Sequence, residues 1–108
     1  GNVSFGELAL LELEMGGLIA GSEYDQLTIL GDVSLNGLLQ LSLLNGFNPI
    51  QGDRFMLIEN RGNNPLLGQF VGLDQGASLW AGSQQFSVDY FGGNGNDLVV
   101  TAVPEPSA

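Results

Sequence analysis

The chain repeats itself. Residues Gly31–Gly46, Gly-Asp-Val-Ser-Leu-Asn-Gly-Leu-Leu-Gln-Leu-Ser-Leu-Leu-Asn-Gly, restate the opening phrase Gly1–Gly16, Gly-Asn-Val-Ser-Phe-Gly-Glu-Leu-Ala-Leu-Leu-Glu-Leu-Glu-Met-Gly. Aligned without a gap at an offset of thirty, seven of the sixteen positions are identical: Gly1/Gly31, Val3/Val33, Ser4/Ser34, Leu8/Leu38, Leu11/Leu41, Leu13/Leu43 and Gly16/Gly46. Self-similarity at a fixed offset of this size belongs to chains built from stacked units, each too small to bury its apolar face without a neighbour. The repeat therefore constrains the fold far more than it constrains the function.

The pattern inside the repeat selects strands. Leu11-Glu12-Leu13-Glu14-Met15 alternates with a period of two, which puts Leu11, Leu13 and Met15 inward and leaves Glu12 and Glu14 in water. A helix over Glu7–Met15 is the competing reading, because Leu, Ala, Glu and Met are good helix formers. The second copy argues against it, with Gly37 at its start and Ser42 and Asn45 within it. Further strands are expected over Tyr24–Leu30, Val33–Leu35, Leu38–Leu44, Arg54–Glu59 and Gln69–Leu73, with loops at Asn60–Pro65 and Asp74–Ser78. Gln84–Tyr90 and Asp97–Val103 flank a glycine-rich turn and are expected to form a hairpin.

These elements predict an all-β fold without helices. The expected architecture is a parallel β-helix, or β-solenoid, capped by antiparallel hairpins; a β-sandwich or jelly roll is the alternative, since the repeat phrase stops at Asn45. One domain over residues 1–103 is expected, with repeat rungs over 1–46, a cap over 47–103 and a Pro-rich tail over 104–108.

Charge narrows the partners. Twelve acids stand against Arg54 and Arg61, with no Lys or His, giving a net charge of −10. Nucleic acid is excluded as a partner, because phosphate binding needs a basic footprint, and so is docking on an anionic membrane surface. There is no Cys, hence no disulfide and no thiolate metal site. No apolar run reaches the length of a membrane span. Gly1 falls in mid-repeat, which leads us to expect a piece processed or cut from a longer chain.

Several phrases occur in a recognisable order: Tyr24–Ile29, Gly31–Gly37, Gly52–Ile58, Gly68–Phe70, Tyr90–Val99 and Val103–Ser107. This series resembles the C-terminal end of autotransporter-type β-strand-repeat proteins, bacterial surface proteins built as right-handed parallel β-helices. Pro104-Glu105-Pro106 looks like the start of a PEP-CTERM sorting signal, without the apolar helix and basic tail that follow it in that family. The resemblance implies a secreted surface or matrix protein in which repeats form a shaft.

Three groups carry chemistry worth weighing. Gly92-Gly93-Asn94-Gly95-Asn96-Asp97 fits one copy of the nonapeptide that binds Ca²⁺ in β-rolls, with Asp97, Asn96 and Asn94 as candidate ligands. A single copy suits equally a hairpin turn whose Asn and Asp side chains cap their own backbone. Glu12 and Glu14 lie roughly 7 Å apart along a strand, but two solvent-facing carboxylates lack the apolar pocket that keeps a catalytic acid protonated. Trp80, Phe47 and Phe91 make a possible aromatic platform for sugar or a partner chain, although a lone Trp beside a Gly-rich loop is more often core or cap.

The resulting expectation is a non-enzymatic extracellular structural protein, without a required cofactor, that self-associates head-to-tail into a filament or matrix. An adhesin-like or carbohydrate-binding module at the end of a longer passenger is the alternative.

Overall fold

The computed structural model describes residues 2–103, which form ten strands in three sheets and no helix. β1 (Val3–Ser4), β2 (Leu10–Met15) and β3 (Leu27–Ile29) are followed by β4 (Val33–Leu35), β5 (Leu38–Leu43) and β6 (Arg54–Asn60). Each of the first three lies parallel to its successor: β1 on β4, β2 on β5 and β3 on β6. Parallel pairing continues past residue 46, because β7 (Leu67–Gly68) lies on β4. β6 then turns the third sheet antiparallel, in the order β3-β6-β10-β9-β8, through β10 (Asp97–Ala102), β9 (Gln84–Gly92) and β8 (Ser78–Ala81).

The offset of the repeat is not constant. Val3 pairs with Val33, thirty residues on, but Leu10 pairs with Leu38 and Leu11 with Leu39, twenty-eight residues on. The second copy reaches its long strand through a shorter connection. Gly37 permits this: its φ is +75°, and a Cβ there would strike the carbonyl oxygen of Ala9 and lie 2.9 Å from that of Gly6. A two-residue slip keeps every side chain on its own face, so the aligned leucines disguise it. Leu8, aligned with Leu38, is instead a solvent-exposed turn residue.

Other expectations are adjusted at their ends. Tyr24–Leu30 shortens to β3, with Tyr24 in an isolated bridge. Gln69–Leu73 is not a strand: β7 ends at Gly68, and the Leu73 N–H closes a turn onto the Phe70 carbonyl at 3.1 Å. The hairpin of β9 and β10 forms as expected. Pro104, Glu105 and Pro106 lie outside the described residues.

The core runs through all three sheets. Leu13, Met15, Val33, Leu35, Leu41, Leu57, Phe86, Val88 and Val100 are buried in one cluster, with Phe55 at its centre. The Phe55 ring meets Tyr24, Phe47 and Phe86 edge-on, with centroids 5.3, 6.0 and 5.9 Å away, the orientation that sets a positive ring edge on a negative face. Polar side chains also run across layers: the Asp32 N–H donates to Asn2 Oδ1 and Asn64 Nδ2 donates to Asp32 Oδ1, each at 2.8 Å.

Candidate functional site

The Gly92–Asp97 turn is held from within. Asp97 is 3% exposed, and its Oδ1 accepts the Asn60 N–H at 2.7 Å while its Oδ2 accepts the Asn94 N–H at 3.3 Å. Gly93 has φ +56°, and a Cβ there would collide with Asp97 Oδ2. The tight turn thus brings its own backbone against the carboxylate. Asn96 is 8% exposed and its Nδ2 donates to the Gly62 carbonyl at 2.8 Å, leaving Oδ1 buried without a hydrogen-bond partner. Asn94 stays at the surface. Both carboxylate oxygens face N–H donors, as in a turn cap. Among the described residues no cluster of three or more acidic, His or Cys side chains is placed to share a metal ion.

Glu12 and Glu14 lie on the exposed face of β2, side by side with Gln40 and Ser42 of β5. The Glu14 N–H donates to Asp25 Oδ2 at 2.8 Å. The carboxylates have water on one side and amide or hydroxyl neighbours on the other, which gives neither the environment of a general acid.

The structure brings together two of the three platform aromatics. A groove of about 660 Å³ separates β5 from β8, with Phe47 and Trp80 on its walls beside Gln40, Ser42, Asn48 and Ser83. Trp80 is 51% exposed. It is neither core nor cap but an outward position of an edge strand, β8, which the expected elements do not include. The sequence did hold a signal for this strand: Gly82-Ser83 is a two-residue hairpin loop joining β8 to β9. Phe91 does not line this groove. β5 pairs only with β2, and β8 only with β9, so each brings an unpaired edge to this region.

One buried titratable group has a defined structural task. Tyr90 on β9 donates its O–H to the Leu73 carbonyl at 2.6 Å and accepts the Phe70 N–H at 3.1 Å, pinning the turn after β7 to the third sheet. Its pKa is raised above the usual 10.0 chiefly by burial, with a further push from the Asp74 charge, against the opposing effect of the Phe70 N–H.

Compared with known proteins, the chain matches no family model, no curated protein and no solved structure.

Proposed function

We propose that this chain is a non-enzymatic structural element of an extracellular scaffold, a short β-solenoid with one open face through which it stacks. The strands β1, β2 and β3 are its first coil and β4, β5 and β6 its second; β8, β9 and β10 close one side of the far end. The observation that carries this reading is the open layer: β1 and β3 each pair along one edge only, and the outer edge of β2 is met at its end alone, where Glu14 and the adjoining Gly16 bond to Asp25 and Glu23. An unpaired row of N–H and C=O groups is a template for another strand.

Leu8, Leu10, Leu18, Ile19 and Leu30 of the first coil leave half or more of their surface in water, as do Leu38, Ile50, Leu67, Val71, Trp80 and Phe91 later in the chain, apolar surface that a second copy could cover. Head-to-tail stacking then sets β1 of one copy against the free edge of β7, the last strand of its sheet. Contacts of this heterologous kind do not close and give open fibres. The acidic composition suits solubility outside the cell, and no helix among the described residues is long and apolar enough to cross a membrane.

Sedimentation velocity over a concentration series, with negative-stain microscopy, tests the proposal. We expect species heavier than the 11.4 kDa chain that grow with concentration and disappear when residues 1–16 are deleted. A monomer at every concentration overturns it.

A further inference from the structure

We propose that the groove between β5 and β8 is a binding site for neutral polysaccharide, with Trp80 as its stacking platform. The site is independent of the assembly reading. Its chemistry is unlike that of the rest of the surface. The chain carries twelve acids, yet among the described residues no charged one lines this groove. What lines it is an indole, a phenyl ring, two amides and two hydroxyls: Trp80, Phe47, Gln40, Asn48, Ser42 and Ser83. Amides and hydroxyls both donate and accept, which suits the hydroxyls around a sugar ring. The flat apolar face of the same ring, with its C–H bonds, suits the negative face of an indole.

Geometry and charge define the ligand further. At about 660 Å³ the groove lies within the roughly 300–1,000 Å³ of small-molecule sites, and it is open to solvent. Trp80 is held by its strand pairing with Gln85 on β9, while Gln40 and Ser42 project from the exposed face of β5. Trp80, Gln40 and Ser42 thus belong to strands, with Phe47, Asn48 and Ser83 on the adjoining loops, so little ordering entropy is lost at the first three on binding. Glu12 and Glu14 stand in the next row, beside Gln40 and Ser42. Two carboxylates at this border repel uronate or sulfate groups, and this selects neutral glycans over acidic ones.

Trp80 is the sole tryptophan, so its emission reports on this site alone. The experiment titrates the full chain with a mixed-linkage glucan, a mannan, a xyloglucan and, as the acidic comparison, alginate. Affinity electrophoresis through the same polysaccharides runs in parallel. We expect a saturable blue shift with at least one neutral polymer, retardation in its gel, and neither effect with alginate. Trp80→Ala lowers the affinity measured by retardation about tenfold, the scale of one aromatic contact, with an unchanged melting temperature because the ring is half in solvent. Gln40→Ala weakens binding without removing the fluorescent reporter. No shift and no retardation with any neutral polymer overturns the site, as does retardation of Trp80→Ala equal to that of the parent chain. Binding of alginate as strong as that of the neutral glycans overturns its charge selectivity.

Discussion

Strands β1, β2 and β3 and their parallel partners β4, β5 and β6 are built from similar residues and are not equally buried at several paired positions. Val33 is fully buried and Val3, its partner one layer down, is only half-buried. Leu39 is buried and Leu11 is not; Ile58 is buried and Leu27 is not. The chemistry of each pair is the same or nearly so. For two of the pairs the number of neighbours differs: β4 and β6 have β7 and β10 on their other sides, whereas β1 and β3 pair on one side only; β5, like β2, has one strand partner and lies beside β8. The asymmetry is local, since Leu13 and Leu41 are equally buried and Met15 is buried more deeply than its partner Leu43.

The matched leucines break this comparison most directly. Leu39→Ala is expected to cost about 2–5 kcal/mol, the range for a buried leucine. Leu11→Ala should cost less, because Leu11 is only partly buried against the core. Denaturant melts of the two variants measure the difference, and equal losses would remove the asymmetry between layers.

The next effect concerns how the hairpin is fastened to the second layer. Asp97 crosses from β10 to the backbone of Asn60 at the end of β6. Asp97→Ala is expected to lose about 1.5–3 kcal/mol, the worth of a hydrogen bond to a charged group, and to leave the Asn60 N–H unsatisfied. Since the carboxylate already faces N–H donors, the melting temperature of the parent chain should not respond to millimolar Ca²⁺ or to a chelator. A rise with Ca²⁺ that vanishes in Asp97→Ala would restore the metal reading of Asn94, Asn96 and Asp97.

A smaller effect depends on pH. A tyrosine whose pKa is higher folded than unfolded adds stability that is complete below the unfolded value near 10.0 and lost as pH rises through the folded one. Melting temperature should thus fall more steeply above pH 10 in the parent chain than in Tyr90→Phe. At neutral pH the variant should lose about 1–3 kcal/mol, because Leu73 O and Phe70 N–H lose their partner.

The comparison also explains what could be read from the chain beforehand. Alternation along Leu11–Met15 and Leu38–Leu43 gave the strands and their inward faces correctly, because a period of two is local. It could not give the register: a slip of two residues preserves that period, and only the nested turn at Gly37 reveals it. β7 was misplaced because Phe70 and Leu73, though buried, are buried by a turn tied to Tyr90. Trp80 and Phe47 were legible as exposed-capable aromatics, but their meeting in one groove depends on bringing β8 up to β5 from far along the chain. Sequence pattern carries no term for that.

The open first layer is the centre of the account, and adding a layer to it is the most direct test. A second copy of residues 2–31 placed ahead of the first should continue the stack, covering Val3, Phe5, Leu11 and Leu27. One cooperative transition at a higher melting temperature and increased hydrogen-exchange protection of the original β1, β2 and β3 amides are expected. An added copy that remains unstructured, with the melting temperature and that protection unchanged, would contradict the open-layer account.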